Sequence, residues 1–261
     1  MRPALILDVD GTVWRYGRLI PGVAEALQQL RRDGYPLLFL SNNPVPPELY
    51  ADRLVGMGVP TAPSEILTCL TILEAELAQE AEAGLYVVAD DRLQAHLAEG
   101  HRIAADPAAI DIVLATGPYD LTYDRLNVAF QALRRGANFW ATNADPFVLA
   151  RSGGEVPHTA AVIGALQGCT GRTVERMTGK PSPLSARAAL ERLGCGPGEA
   201  IVVGDGLDTD IALGHNAGIR TVLLLSGVTR REDLADSPVQ PDFVLDSLAS
   251  LPDLLRGPAA R

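Results

Sequence analysis

The sequence is short of cysteine, of aromatic residues and of clustered positive charge. Its three cysteines, Cys69, Cys169 and Cys195, are odd in number and lack CxxC spacing. That argues against a disulfide framework or a thiolate zinc site and for reduced thiols, as in the cytoplasm. No Lys/Arg cluster interrupts a formal net charge of −10, so neither nucleic acid nor an anionic membrane surface is an expected partner. No apolar run approaches the roughly 18 residues of a membrane span. The chain enters a strand-like run at residues 4–9 almost at once, interrupted by Asp8 and closed by Asp10 and Gly11, so no signal peptide is expected.

What is present reads as two α/β units. At 261 residues the chain exceeds the roughly 100 to 200 of one domain, and a hydrophobic share of 47% with 21% charged residues supplies an ordinary globular core. Apolar runs at 4–9 and 36–40 alternate with helical patterns at 22–32 and 48–57. The rhythm returns in runs at 200–203, 221–225 and 243–245, with a helical 210–217. These runs lack apolar/polar alternation, as expected of parallel strands covered on both faces. A Rossmann-like, doubly wound parallel sheet is therefore expected from residues 1–79 and 179–261. Residues 80–178 read as an inserted α/β unit, with strands at 85–89, 112–115 and 138–142 and a helix over 121–135. Its outward boundary falls near residues 79–84 and its return at 179–183. The Ala-rich stretch 74–83 is expected to be helical.

Chemistry gathers at the predicted strand ends, where ligands collect in open α/β sheets. Asp8-Val9-Asp10-Gly11-Thr12 closes the first run. Asp-Gly is common turn chemistry, yet two carboxylates at a buried strand end are costly unless a cation or donors compensate them. Ser41-Asn42-Asn43 offers a hydroxyl and amides that can hold a phosphoryl oxygen, or equally a helix-capping box before Pro44. Lys180, in a Pro-bounded loop, can aim an ammonium at an anion, although a single lysine is commonly a solvated surface charge. Gly204-Asp205-Gly206-Leu207-Asp208-Thr209-Asp210 ends a strand and opens a helix, where acidic residues also suit the helix dipole. Together, carboxylates at two strand ends and a lysine match a hard cation such as Mg²⁺, which prefers oxygen ligands. An acidic chain that handles small phosphorylated metabolites needs such local positive charge.

The ordered set Asp8-x-Asp10-Gly11-Thr12, Ser41-Asn42-Asn43, Lys180-Pro181 and Gly204-Asp205-x-x-x-Thr209-Asp210 resembles the haloacid dehalogenase superfamily of phosphohydrolases. The large insert, with Ala141-Thr142-Asn143 inside it and Gly179-Lys180-Pro181-Ser182-Pro183 after it, resembles the NagD-like subfamily with a C2-type cap. Leu121-Thr122-Tyr123-Asp124 resembles its arabinose-operon sugar phosphatases. The resemblance implies a Mg²⁺-dependent phosphatase of small phosphorylated metabolites that works through an aspartyl phosphate. Sugar phosphates are favoured, with nucleoside monophosphates and, in vitro, nitrophenyl phosphate as further substrates.

It further implies Asp8 as nucleophile and Asp10 as acid/base, which asks a carboxyl to carry a proton near neutral pH. Mg²⁺ would be held by Asp8, the Asp10 carbonyl, Asp205 and Asp210, the last directly or from the outer shell. Lys180 would neutralise charge, while Ser41, Asn42, Asn43 and the Gly11 and Thr12 amides would bind the transferring oxygens. Substrate choice is expected of the cap, with Asn143 and Asp145 as its substrate-binding candidates, and the resemblance allows a homodimer through the cap. Gly206 stands where a larger polar residue commonly follows the metal aspartate. His158-Thr159-Ala160-Ala161 replaces a Gly-rich stretch, and a single histidine is more often a surface or helix-start residue than a ligand.

Three other readings share parts of this pattern. A phosphotransferase or mutase uses the same core intermediate, and the large insert favours a hydrolase over it. A phospho-acceptor receiver also combines a strand-end aspartate with a lysine, but Asp10 two residues past the nucleophile argues against it. A noncatalytic phosphometabolite-binding protein is disfavoured by the complete set of motifs.

Overall fold

The computed structural model describes residues 2–149 and 154–257. The chain opens with β1 (Ala4–Leu7), the short antiparallel pair β2 (Trp14–Arg15) and β3 (Arg18–Leu19), α1 (Val23–Arg32), β4 (Leu37–Ser41), α2 (Pro47–Gly56) and β5 (Ile66–Thr68). There follow α3 (Cys69–Leu77), β6 (Leu85–Val88), α4 (Asp91–Leu97), β7 (Ile112–Ala115), α5 (Tyr123–Arg134) and β8 (Asn138–Ala141). An antiparallel pair, β9 (Phe147–Leu149) and β10 (Glu155–Pro157), precedes α6 (Thr159–Thr170) and β11 (Arg176–Met177). The chain then runs through α7 (Pro183–Leu193), β12 (Ala200–Gly204), α8 (Ala212–Ala217), β13 (Arg220–Leu224), β14 (Phe243–Leu245) and α9 (Leu251–Arg256). No helix among the described residues is long and apolar enough to cross a membrane.

Two compact units result. One comprises Met1–Ser41, Pro46–Thr68 and Lys180–Arg261, the other Asn42–Val45 and Cys69–Gly179. In the first, six parallel strands run in the order β14-β13-β12-β1-β4-β5. β1, β4 and β12 are buried along their whole length, and this two-sided burial is why their sequences do not alternate. Strand order reverses at β1, which pairs with β12 on one side and β4 on the other, Leu7 lying opposite both Val203 and Phe39. Asp8, Ser41 and Asp205 therefore emerge at the same carboxyl edge, where the connections diverge. Helix α1 buries Val23, Ala26, Leu27 and Leu30, the spacing of one helical face.

The second unit holds the parallel sheet β11-β8-β7-β6. Val113, Phe139, Leu133 and Val162 form one core layer, and Leu73, Leu77, Leu85, Leu93 and Ile112 form another. That second layer explains a difference from the expected boundary at residues 79–84, which falls instead between Thr68 and Cys69. The apolar face of α3 packs into the core of the second unit, so the helix belongs there. The helix expected over 74–83 is displaced as well: α3 ends at Leu77, and Ala78–Glu80 make only a tight 3₁₀ turn.

Candidate active site

Asp8 continues beyond β1, its amide still donating to the Val203 carbonyl at 2.8 Å. Lys180 is buried rather than solvated, only 2% exposed. Its ammonium donates to Asp8 Oδ1 at 2.6 Å and to Asp210 Oδ1 at 2.7 Å. Asp205, just past β12, accepts the Val228 amide on Oδ2 at 2.7 Å. Asp8, Asp205 and Asp210 each present an oxygen within 4.8 Å of the others.

Asp210 is aimed by a wide turn at Leu207–Ile211, its Oδ2 accepting the Gly206 amide at 3.1 Å and the Thr209 hydroxyl at 3.3 Å. A Cβ on residue 206 would lie 2.0 Å from Thr209 Oγ1. A larger residue at 206 would therefore require the Thr209 side chain to turn away. Gly11, at φ +95°, is held to glycine twice over, since a Cβ there would lie 2.1 Å from Asp205 Oδ2.

Three buried carboxylates around one ammonium leave a formal deficit of two positive charges. The titration behaviour follows. Burial raises Asp8 to about 7, with Lys180 opposing the rise and Asp210 adding to it. Burial, reinforced by Asp8 and Asp210, also raises Asp205. Burial alone would lower Lys180, but Asp210 and Asp8 outweigh it and hold the ammonium charged. Asp8 Oδ2 and Thr12 Oγ1 are buried with no hydrogen-bond partner among the described residues. An orphaned carboxylate oxygen beside two further carboxylates fits an oxygen-seeking divalent cation.

Asp10 stands apart from that cluster and is exposed. Trp14 Nε1–H donates to its Oδ1 at 2.7 Å and the Tyr50 hydroxyl donates to its Oδ2 at 2.8 Å. The same Tyr50 oxygen lies 2.8 Å from Ser41 Oγ, so it links Ser41 to Asp10. Tyr50 stacks on Trp14, with ring centroids 5.4 Å apart and planes 3° from parallel, and the Arg53 guanidinium lies 4.1 Å over the indole. Sequence reasoning missed both aromatics, because Tyr50, with Ala51 and Leu54, reads as the ordinary buried face of α2. The Gly11 amide, expected to bind a transferring oxygen, donates within the turn to the Trp14 carbonyl at 2.7 Å. The Thr12 amide makes a 3.4 Å bond to the Val9 carbonyl, which leaves its hydroxyl as the uncommitted group.

In the second unit Asn42, Asn143 and Asp145 come together. Asn143 is fully buried, donates to the Asn42 carbonyl at 2.9 Å and accepts the Asp145 amide at 3.2 Å. Asp145 Oδ1 accepts the Asn42 side-chain amide at 2.9 Å, and Cys69 Sγ donates to the Asn42 carbonyl at 2.8 Å. Asn143, expected to contact substrate, here ties the Asn42 carbonyl on one side to the Asp145 amide on the other. The Asn43 carbonyl accepts the Val45 amide at 2.9 Å. His158 does start a helix, α6, but it is buried rather than on the surface. Its Nε2 lies 3.4 Å from the Tyr119 hydroxyl, and burial lowers its pKa.

Comparison with known proteins identifies the family. A haloacid dehalogenase-like hydrolase family model matches residues 5–101, and a HAD-hydrolase-like model matches residues 177–251. Sugar-phosphatase AraL of Bacillus subtilis is 32% identical over 253 residues, covering 96% of this chain and 92% of its own. The solved p-nitrophenyl phosphatase from Archaeoglobus fulgidus superposes with a TM-score of 0.88 at 31% identity, over 97% of this chain and 99% of that one. NagD from E. coli superposes with a TM-score of 0.83 at 30% identity, over 95% and 98% of the two chains.

Proposed function

The chain belongs to the haloacid dehalogenase-like hydrolases, as a NagD-like phosphatase of phosphomonoesters, and from that premise we propose that it hydrolyses small phosphorylated metabolites with Mg²⁺ by way of a phosphoryl group carried on Asp8. The observation that carries this reading is Asp8 itself, with one oxygen on Lys180 and the other buried and unpartnered beside Asp205 and Asp210.

An Asp8 oxygen attacks phosphorus as the bond from phosphorus to the leaving oxygen breaks, and Asp10 gives that oxygen a proton. Water then attacks the same phosphorus while passing a proton to Asp10. The Asp8 carboxylate and inorganic phosphate are released, and Asp10 is reloaded for the next cycle. Lys180 favours the ionised form of Asp8 and offsets the charge of the incoming phosphate, while Ser41 and the Thr12 hydroxyl bind its oxygens. Asn42 and Asn43 are the further donors implied by the motif. A bound Mg²⁺, held by Asp8, the Asp10 carbonyl, Asp205 and Asp210, would supply Lewis-acid charge neutralisation.

We assign catalysis to the first unit. Residues 69–179 are assigned the work of a cap, namely substrate choice and dimer formation, in a cytoplasmic enzyme. Sugar phosphates are the favoured substrates, given the similarity to a sugar phosphatase, with nucleoside monophosphates and nitrophenyl phosphate next.

The test is phosphate release from a panel of sugar, nucleoside, glycerol and nitrophenyl phosphates, with Mg²⁺ or EDTA, for the wild type and Asp8→Asn. Turnover that requires the cation and disappears in Asp8→Asn is expected. Turnover that survives both EDTA and Asp8→Asn would sink the reading.

A further inference from the structure

We propose that Tyr50 is a positioning residue for the proton transfer made by Asp10, an inference that rests on the acid/base reading of Asp10 above. Asp10 is exposed, and a carboxylate on an open turn explores several rotamers unless its oxygens are held. Here both are held, by donors that differ in kind. Trp14 lies four residues along the same turn, and its indole N–H is a donor only, so it fixes Oδ1 locally. Tyr50 comes from α2, forty residues away, and its hydroxyl reaches Asp10 Oδ2 and Ser41 Oγ at 2.8 Å each.

One buried oxygen, on a residue 4% exposed, therefore spans two groups that serve opposite ends of the same transfer. Ser41 is assigned to the transferring oxygens, Asp10 to the leaving oxygen. The tyrosine itself has little freedom, since its ring lies flat on Trp14, which in turn lies under Arg53. Tyr50 thus sets the position of the Asp10 carboxyl relative to Ser41, a geometric constraint to which proton delivery is sensitive.

Chemistry supplies a readout that a merely structural role would not move. A nitrophenolate departs without a proton, whereas the alkoxide of a glycerol or sugar phosphate needs one as the bond breaks. Losing the Tyr50 hydroxyl should accordingly be felt on alkyl phosphates and hardly at all on aryl phosphates. The experiment measures kcat/KM, which covers the steps through leaving-group departure, for glycerol phosphate and nitrophenyl phosphate in saturating Mg²⁺. The variants are Tyr50→Phe, which keeps the stack, Trp14→Phe, which removes the other donor, and Asp10→Asn as reference.

We expect Tyr50→Phe to lower kcat/KM roughly 10- to 100-fold on glycerol phosphate and less than about threefold on nitrophenyl phosphate. Trp14→Phe should shift the same way and Asp10→Asn further. Equal losses on both substrates in Tyr50→Phe, or no loss on either, overturn the proposal while leaving Asp10 its role if Asp10→Asn keeps the contrast. Absence of the contrast in Asp10→Asn overturns the acid/base reading and this proposal with it. A Tyr50→Phe chain that does not fold, beside a folded Trp14→Phe without the contrast, assigns the network to stability alone and likewise overturns it.

Discussion

Replacing Lys180 with methionine keeps most of the side-chain volume but removes the ammonium that stands 2.6 Å from Asp8 and 2.7 Å from Asp210. Breaking a buried ion pair from one side costs about 3 to 5 kcal/mol. One cation here serves two carboxylates, so the cost should sit toward the upper end wherever both stay ionised. Protonation limits it: Asp8 already titrates near 7, and each pH unit below the folded pKa recovers about 1.4 kcal/mol. With the ammonium gone the folded-state carboxylate pKa values rise further above their unfolded values. Their stabilising contribution is then complete only in acid and is lost as pH rises through the folded values, so the penalty must grow from pH 5.5 to pH 8.

For a chain of this size 1 kcal/mol corresponds to about 2 to 4 °C, which puts the expected drop in Tm at roughly 6 to 20 °C at pH 8 in EDTA. Thermal unfolding followed by tryptophan fluorescence at both pH values checks it. A Lys180→Met midpoint within about 1 °C of wild type at pH 8 would refute the reasoning, since it would mean that the two ion pairs contribute nothing.

Two further outcomes follow from the same geometry. In EDTA the wild-type Tm should fall as pH rises from 5 to 8, because the raised Asp8 and Asp205 hold protons more tightly folded than unfolded. Saturating Mg²⁺ competes with those protons and should flatten or reverse the trend, and the same slope with and without the cation would count against a metal at these carboxylates. Asn143→Ala should cost about 1 to 3 kcal/mol in stability and lower kcat/KM evenly across sugar, nucleoside and glycerol phosphates. A changed order of preference among them would instead mark Asn143 as a substrate contact.

Much of the fold is legible because parallel strands buried on both faces announce themselves as short, unalternating apolar runs. β7 and β14 begin and end where those runs do. The three-residue β5 was not, since Ile66–Thr68 run directly into α3 at Cys69 and no turn residue closes the strand. The unit boundary was misplaced for a related reason: α3 looks the same in sequence whichever core it enters, and only packing against Leu85, Leu93 and Ile112 decides. At the site, Asp8, Lys180, Asp205 and Asp210 stand out because ionisable groups at strand ends are expensive without compensation. Tyr50 and Trp14 do not, because a buried aromatic carries no sign of which polar atom its own polar end will meet.

Lys180 is the only lysine in the sequence, and it is the one buried between Asp8 and Asp210. Every other side-chain cation is an arginine or a histidine. An amine-directed reagent therefore meets one side-chain target in the whole chain, shielded by the fold and kept unreactive by its own protonation. The rate at which that single amine becomes acylated is a clock for transient opening around Asp8, and a substitution elsewhere that loosens this region would show itself first as a faster clock.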